Sequence, residues 1–332
     1  MKTLLVTGAL GYIGSHFCIE ATNQKYNIIA IDNLDNSYIN NIDIINKLSI
    51  SNIKFIKCDI RNYNDMKKIF MENDIFCVIH FAALKSVSES YENPLLYYDI
   101  NVNGTLNILK VMNEMNCKKI IFSSSACIYG NTKKKIIKEE DDLQPINVYG
   151  TTKLIGENIL KDLVLSDNTW KVFILRYFNV VGAHPSGLIG DNPKKKNNAL
   201  FPSLFRYLNN DTKIFNIFGG DYDTKDGTCI RDYIHVMDLI TSHMKCLNKI
   251  ETISGNKIYN LGCGKGTSVL EIIKNIEKIS KKKIKFKISP RRIGDTEISI
   301  TDTSFACNEL NWIPSYNIND MCNHSIKFWK TL

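Results

Sequence analysis

A tyrosine and a lysine four residues apart are the side chains of this sequence best suited to acid–base chemistry. Tyr149 and Lys153 project from one face if their segment is helical. A free phenol has a pKa of about 10 and is a poor base at neutral pH, but a nearby cation favours its ionised form. The pair therefore predicts a proton-transferring phenol whose pKa Lys153 lowers. A half-buried tyrosine beside a solvated lysine is the alternative, since this spacing also occurs by chance.

Three consecutive serines follow a predicted strand and add hydroxyl groups to the same chemistry. Open α/β sheets bind their ligands at the carboxyl ends of the strands, which is where these hydroxyls fall. Ser125, the last of the three, is predicted to share a proton with Tyr149 or to hold a substrate oxygen. An ordinary turn at the strand end is the alternative.

A glycine-rich turn near the start of the chain has the pattern of a dinucleotide-binding loop. An apolar run is followed by Gly8 and Gly11. A helical pattern then begins at Tyr12 and Ile13 and includes Gly14. Residues without a Cβ permit a tight turn and the close approach of a ligand. The helix N-terminus then offers its N–H groups to a pyrophosphate. The glycines predict dinucleotide binding, although alone they also fit a plain turn.

An acidic residue at the end of the next predicted strand strengthens this assignment. Asp32 lies 18 residues after Gly14, where a carboxylate binds the ribose diol of adenosine. The same charge repels a 2′-phosphate, so NAD is favoured over NADP as the cofactor. Asp59 and Ile60 follow the third strand, and Asp59 is predicted either to face the adenine or to cap a helix.

The elements that must position these residues alternate between short apolar runs and helix-length segments. Strands are predicted at 3–7, 28–31, 53–56, 76–80, 119–123 and 172–176, and helices at 12–23, 65–72, 94–116 and 149–164. Unbroken apolar strands that alternate with helices indicate a parallel sheet covered on both faces. Because crossovers between parallel strands are right-handed, the predicted fold is α/β with a doubly wound (Rossmann) sheet.

After residue 180 the alternation weakens, and a smaller α+β domain is predicted. Residues 182–196 are rich in Gly, Pro, Asn and Lys and indicate a long loop, which in compact domains is often functional. We predict an NAD-binding domain over 1–180 and a substrate-binding domain over 181–332. An apolar segment near 230–240 is expected to return to the first domain.

The composition is that of an ordinary globular protein. The 332 residues are 44% hydrophobic and 23% charged, and no run is long and apolar enough for a membrane span or a signal peptide. Much of the net charge of +8 lies in three lysine triplets, a pattern typical of solvated loops and not of a nucleic-acid-binding stripe. The ten cysteines lack zinc-ligand spacing, so no metal site is predicted, and reduced thiols in a cytoplasmic protein are expected.

Several further motifs accompany the glycine turn and the tyrosine–lysine pair. They are HFAALK at 80–85, SSSACIYG at 123–130, RYFN at 176–179, GAHPSG at 182–187, RDYIHV at 231–236 and RRIGD at 291–295. With these motifs the chain resembles the extended short-chain dehydrogenase/reductase superfamily and, within it, the UDP-glucose 4-epimerase family. The resemblance extends from Thr3 to about Trp312.

The resemblance implies an NAD-dependent isomerase that oxidises and re-reduces C4 of a UDP-sugar. Tyr149 would be the acid–base group, Lys153 would tune it and hold the nicotinamide ribose, and Ser125 would bind the sugar. The further cofactor contacts that it implies are Asn33, Asn36, Ser37, Phe81, Ala82, Ala83, Lys85, Asn101 and Phe178. The substrate contacts that it implies are Lys85, Asn179, Asn198, Leu200, Ile217, Phe218, Arg231, Arg292, Asp295 and Ser299.

The resemblance also bears on substrate range. In this family the position four residues after the aspartate of RRIGD lies beside C2 of the sugar, where a bulky tyrosine admits only a hydroxyl. That position is Ser299 in this chain. UDP-GlcNAc and UDP-GalNAc are therefore expected as substrates beside UDP-glucose and UDP-galactose. Refilling of the space by Ile300 is the alternative.

Other functions on the same fold stay open. A sugar-nucleotide 4,6-dehydratase carries an Asp-Glu pair shortly after the strand-five hydroxyl, whereas Ala126 and Cys127 follow Ser125 here. A UDP-glucuronate epimerase or decarboxylase is a second possibility. A non-enzymatic dinucleotide sensor is a third, although a sensor has no need of Tyr149 and Lys153. A homodimer is also predicted. Four leucines of the helices at 94–116 and 149–164 are expected to pair the two copies, namely Leu106, Leu109, Leu160 and Leu163.

Overall fold

The described part of the chain, residues 1–132, 134–195, 199–210 and 213–332 of a computed structural model, contains one seven-stranded sheet and two smaller sheets. The strands are β1 (Thr3–Thr7), β2 (Asn27–Asp32), β3 (Lys54–Lys57), β4 (Cys77–His80), β5 (Lys119–Ser125), β6 (Lys171–Tyr177), β7 (Asn179–Val181), β8 (Phe215–Phe218), β9 (Ile230–His235), β10 (Gly255–Leu261), β11 (Gly266–Ser268), β12 (Phe286–Ser289) and β13 (Ile298–Ser299). The large sheet has the order β3-β2-β1-β4-β5-β6-β10, and all its neighbouring strands are parallel. The strand order reverses between β1 and β4, which is where such sheets bind ligands.

Helices cover both faces of this sheet. They are α1 (Tyr12–Asn23), α2 (Asn41–Leu48), α3 (Tyr63–Met71), α4 (Val87–Glu92), α5 (Pro94–Tyr98), α6 (Gly104–Glu114), α7 (Val148–Ser166), α8 (Leu200–Leu208), α9 (Val236–Lys249), α10 (Val269–Ser280), α11 (Ser304–Leu310) and α12 (Ile318–Trp329). Along β1, Leu4 and Val6 belong to one hydrophobic core and Leu5 to another. Successive side chains of a strand point to opposite faces, so each face of the sheet has its own core. The predicted doubly wound fold is confirmed.

The predicted helix over 94–116 is interrupted. α5 passes into a π-helical turn at Asp99–Asn103, and α6 begins only at Gly104. The wider turn leaves Asn101 buried between the helix and the loop after β4. Local widening of this kind is frequent beside functional sites.

The second half of the chain forms a smaller lobe with two short sheets. β9 pairs with β7, β11 and β13, and β8 pairs with β12. The chain then returns to the large sheet, because α9 packs against α1 and β10 lies beside β6. The segment that returns is thus 236–261, since β9 of the predicted segment 230–240 stays in the small sheet. The division of the chain at residue 180 stays a prediction.

The described residues contain neither a membrane-spanning helix nor a cluster of metal ligands. Within them, no helix combines the length and the apolarity needed to cross a membrane. The same residues form no group of three or more His, Cys, Asp or Glu side chains suited to a metal ion.

Candidate active site

A cavity of about 980 Å³ opens at the carboxyl ends of the strands of the large sheet, between the two lobes. Most of the residues singled out from the sequence lie around it. These are Gly8, Gly11, Tyr12, Ile13, Gly14, Asp32, Asn33, Asn36, Ser37, Asp59, Ile60, Phe81, Ala82, Ala83, Lys85, Ser125, Tyr149, Lys153, Phe178, Asn179, Leu200, Ile217, Phe218, Arg231, Arg292, Asp295 and Ser299. The fold therefore brings both groups of predicted residues, those for a dinucleotide and those for a sugar nucleotide, to one continuous site.

The glycine turn joins β1 to α1 with no space for side chains. Gly8 has a φ of +65°, and a Cβ there would lie 2.8 Å from the backbone nitrogen of Ala82. A Cβ on Gly14 would lie 2.2 Å from the carbonyl oxygen of Gly8. α1 begins after Gly11 without a side-chain cap, which leaves its first N–H groups for a ligand. This bare cradle at a helix N-terminus fits a pyrophosphate.

The carboxylate of Asp32 is held at the tip of β2. It accepts hydrogen bonds from the N–H groups of Leu10 at 3.0 Å and Leu34 at 2.9 Å, and from the hydroxyl of Ser37 at 2.7 Å. A carboxylate has about four acceptor positions, so one stays available to a ligand. The placement fits the ribose diol of a dinucleotide.

Asp59 occupies the next position along the rim of the cavity and does not cap a helix. Asn62 caps α3 instead, accepting from the backbone N–H of Asp65 at 3.3 Å. The guanidinium of Arg61 donates to both oxygens of Asp59, at 3.0 and 2.8 Å, and Asn33 adds a third bond at 3.1 Å. The hydrogen bonds from Arg61 hold the pKa of Asp59 well below its usual range. Of the two roles predicted for Asp59, the structure supports the one at the cavity.

Tyr149 and Lys153 lie in the first two turns of α7. The side chain of Asn147 caps this helix by accepting the N–H of Gly150 at 2.7 Å. The Nζ atom of Lys153 lies 6.0 Å from the centre of the Tyr149 ring. It also donates to the carbonyl oxygen of Ser123 at 2.8 Å, which ties α7 to the end of β5.

The pKa values of this pair are shifted toward the neutral forms. Burial raises the pKa of Tyr149, nearby Cys127 raises it further, and a hydrogen bond with Ser125 opposes these effects. Burial lowers the pKa of Lys153 to about 7, because a low-dielectric surrounding disfavours the ammonium. The expected lowering of the Tyr149 pKa by Lys153 is not seen, because burial has the largest effect on the phenol and raises its pKa.

A buried ion pair lies beneath the same elements. Glu157 of α7 accepts the hydroxyl of Ser124 at 2.6 Å and the guanidinium of Arg176 at 3.0 and 2.8 Å. The side chains of Arg176 and Glu157 are 2% and 0% exposed. Arg176 also donates to the hydroxyl of Tyr129 at 2.6 Å. Because each group satisfies the others, this network fixes the spacing of β5, β6 and α7.

Two arginines share one carboxylate at the opposite end of the cavity. Asp295 accepts from Arg231 at 3.2 Å and from Arg292 at 2.9 Å. Arg231 also donates to the carbonyl oxygen of Thr296 at 2.5 Å, and Arg292 lies 5.1 Å from the centre of the Phe218 ring. Guanidinium groups match the oxygens of a diphosphate. Their common partner Asp295 holds both in place.

Known proteins share this sequence and architecture over most of their length. A family model described as GDP-mannose 4,6 dehydratase matches residues 5–325. UDP-glucose 4-epimerase 2 of Oryza sativa subsp. japonica is 45% identical over 327 residues, which cover 97% of this chain and 80% of that protein. UDP-glucose 4-epimerase of Bacillus subtilis (strain 168) is 43% identical over 322 residues, covering 97% and 95%. The crystal structure of UDP-glucose 4-epimerase from Bifidobacterium longum, in complex with NAD+ and UDP, has a TM-score of 0.97 at 43% identity and covers 99% of this chain and 98% of that one.

The chain belongs to the UDP-glucose 4-epimerase family. The name of the family model raises the alternative of dehydration, but the residues after Ser125 separate this chain from the dehydratases. Ala126 and Cys127 line the cavity at that point, and neither supplies the carboxyl group that the dehydratases carry there. Family membership and the residues that line the cavity thus both favour an epimerase over a dehydratase.

Two predicted site residues fall outside the cavity lining or the described chain. Asn101 does not line the cavity, because its side chain bonds both backbone groups of Leu84, at 2.8 and 3.0 Å, and donates to the hydroxyl of Thr152 at 3.0 Å. These bonds position the loop after β4, and the contact of Asn101 with the cofactor stays a prediction. Asn198 lies outside the described residues.

Three polar residues stand out among those of the cavity that sequence reasoning missed. Tyr177 lies directly opposite Ser125 in the register of β5 and β6, and its hydroxyl lies 2.6 Å from Nε2 of His243. A polar residue at the carboxyl end of a central strand was a usable signal for it. Asp191 and Lys195 come from the loop over 182–196. The length of this loop was informative, but no pattern showed which of its residues reach the cavity.

Proposed function

We propose that this chain interconverts UDP-glucose and UDP-galactose by reversible oxidation at C4, with NAD as cofactor. One observation carries the proposal: Tyr149 and Ser125 lie in the same cavity as a bare glycine cradle and a pair of arginines. The cradle suits the dinucleotide, and the arginines suit the diphosphate of the UDP-sugar. Family membership supports the same reaction.

The proton chemistry belongs to Tyr149. We assign it the removal of the proton from the C4 hydroxyl and its return, since its phenol lines the cavity and hydrogen-bonds Ser125 at the carboxyl end of β5. Ser125 sits across from the phenol and orients the sugar oxygen. Lys153 holds α7 to β5 through the carbonyl oxygen of Ser123. Burial lowers its pKa to about 7.

The NAD site is assigned to the glycine turn, Asp32 and the rim around Asp59. A bound NAD would supply the hydride acceptor and donor for C4 of the sugar, and its positive ring would favour the phenolate of Tyr149. Asp32 holds the ribose by its remaining acceptor position. The reacting end is sheltered from solvent, because Lys153 is buried and Tyr149 is half-buried.

The two lobes divide the binding of the substrate. Arg231 and Arg292 hold the diphosphate, and Asp295 keeps both guanidinium groups directed at it. The sugar meets mainly short side chains, such as Ser125, Cys127 and Ser299. A firmly held UDP and a loosely held sugar allow the 4-keto sugar to turn over within the site.

We also propose N-acetylated substrates, UDP-GlcNAc and UDP-GalNAc. Ser299 lines the cavity and pairs in register with Arg231, which places a small side chain beside the diphosphate site. Ile300 lies against Gly266, where a Cβ would be 2.5 Å from its Cδ1 atom, so it packs away from the sugar. The space that a tyrosine would occupy at position 299 is thus left to the N-acetyl group.

A paired assay of the purified protein and Ser299→Tyr tests both parts of this proposal. Each protein is incubated with UDP-galactose and, separately, with UDP-GalNAc, and the products are identified by NMR. We expect the wild type to convert both, and the variant to keep UDP-galactose conversion while losing UDP-GalNAc conversion at least tenfold, about 1.4 kcal/mol of discrimination. A wild type inactive on UDP-galactose contradicts the main proposal. A wild type that ignores only UDP-GalNAc, or a variant that converts it unchanged, contradicts the role of Ser299.

A cytoplasmic location and a homodimer complete the proposal. Ten free cysteines, seven of them buried, support a reducing compartment. The partners are then a UDP-sugar and a second copy of the chain, with neither nucleic acid nor membrane.

A further inference from the structure

The segment 190–195, called the strap below, leaves the smaller lobe and crosses to the rim of the larger one. Its start is fixed, because Gly190 forms a bridge with Ala183 and a Cβ there would lie 2.4 Å from the Phe328 ring. Asp191 follows, with its Oδ1 atom 3.8 Å from Nζ of Lys85. The strap thus meets the first lobe directly beside the cavity.

Two lysines fasten the far end of the strap to the loop after β2. Nζ of Lys194 donates to the carbonyl oxygen of Leu34 at 3.1 Å. Nζ of Lys195 donates to Asp35 at 2.5 Å, and its backbone N–H donates to the side chain of Asn36 at 2.9 Å. Lys194 and Lys195, which belong to one of the three lysine triplets, therefore form a contact between the lobes.

The loop gripped by the lysines is also the loop that holds Asp32. The N–H group of Leu34 and the hydroxyl of Ser37 both donate to the carboxylate of Asp32. Asn36, Ser37, Pro193 and Lys195 all line the cavity. The strap consequently closes the cavity on the side assigned to the adenosine ribose.

We propose that the strap is a clasp that retains the dinucleotide, an inference that rests on the proposed NAD site. Departure of NAD past the rim requires the lysines to release the 34–36 loop. The side chains of Lys195 and Asp35 are 48% and 42% exposed, so their attraction is modest and is weakened by salt. Retention of NAD therefore depends on ionic strength, through Lys195 and Asp35.

The test measures NAD retention and not catalysis. Protein purified with its NAD is moved to NAD-free buffer, and the dinucleotide still bound is quantified over time, at low salt and in about 0.5 M NaCl, where the Debye length is ~4 Å. We expect Lys195→Met to speed release about two- to fivefold at low salt, and Lys194→Met with Lys195→Met about tenfold. Added salt speeds release from the wild type, and does so much less from the variants.

Two controls separate the clasp from general damage. Lys283→Met removes a side chain that is 90% exposed and pairs only with Glu277 among the contacts of its ammonium group that the structure describes, and it should leave release unchanged. Exchanging the charges, Lys195→Asp with Asp35→Lys, should restore slow release, which a merely disrupted loop would not do.

The outcomes also distinguish the clasp from the proposed function. A wild type that retains NAD while Lys195→Met releases it at the same rate, or with the same salt dependence, overturns the clasp alone. A wild type that binds no NAD, even when NAD is added, overturns the proposed function and the clasp with it.

Discussion

The phenol of Tyr149 is the residue on which the proposed reaction depends. Burial keeps it protonated, Ser125 faces it, and Lys153 supports the helix turn that carries it. A proton-transferring group in a water-poor cavity needs such neighbours, because the charge that forms on it has no solvent to stabilise it.

Removing the hydroxyl of Tyr149 should abolish turnover and spare binding. General acid–base groups contribute about 10²–10⁴-fold, so Tyr149→Phe is expected to lower kcat by that factor. Binding of UDP, measured by calorimetry, should be unchanged because the arginine pair is untouched. Tyr63→Phe is the matched control, since that hydroxyl donates to Glu114 at the surface and does not line the cavity. A Tyr149→Phe enzyme within about threefold of wild type would contradict the assignment.

Residue types and spacing predicted the chemistry better than they predicted the electrostatics. Short local motifs are enough to predict the roles of the glycines, of Asp32 and of the tyrosine–lysine pair. The direction of the pKa shift at Tyr149 does not, because burial by elements distant in sequence decides it. The orientation of Asn101 was not predictable either, because nothing in the sequence shows the π-helical turn that directs this side chain toward Leu84.

At the scale of elements, β5, β6 and α7 form the unit that carries the reacting groups. Their contact depends on Glu157 and Arg176, which neutralise each other out of reach of solvent. Buried pairs of this kind seldom add net stability, but loss of one partner leaves an uncompensated charge.

Breaking and then replacing this pair tests its structural role. Arg176→Met is expected to lower the free energy of unfolding by up to about 3–5 kcal/mol, because the buried Glu157 loses its closest cation and keeps only the weaker pair with Lys161, at 3.5 Å. Adding Glu157→Leu removes that charge and should recover most of the loss. Urea denaturation of the two variants and the wild type measures both values. Equal destabilisation in the single and double variants would show that the pair does not act as a unit.

Elements were predictable where a periodic pattern lasted long enough to be recognised. Six of the seven strands of the large sheet were predicted to within a few residues, because most of them are buried apolar runs. The seventh, β10, lies in the part of the chain that was assigned to the smaller domain. β13 has two residues and β11 has three, too few to show any period. Those short strands place Ser299 and support Arg231, so the smaller lobe could be recognised only by motif and not by pattern.

At the scale of the whole molecule, two of the four leucines expected at a dimer interface are core residues. Leu109 is 3% exposed and Leu160 is fully buried, both beneath the large sheet, and Leu106 and Leu163 are partly buried. The helical surface still exposes apolar groups, with Leu95 of α5 82% exposed. Single exposed apolar side chains are common on protein surfaces, so the homodimer stays a prediction.

We therefore expect light scattering at micromolar concentration to give twice the chain mass of 37.9 kDa. Leu95→Asp should shift the protein toward monomer, because a carboxylate is costly to bury between two chains. Ile313→Asp is the matched control, at a residue 79% exposed on another part of the molecule. A wild-type monomer would remove the dimer from the account.

The central claim, transient oxidation at C4 within one site, is tested most directly by isotope retention. Purified protein is incubated in ordinary water with UDP-galactose that carries deuterium at C4, and the UDP-glucose formed is examined by NMR. The account predicts that deuterium remains at C4, because the same hydride is taken up and returned without exchange with solvent. Product with hydrogen at C4, or no UDP-glucose at all, would contradict it.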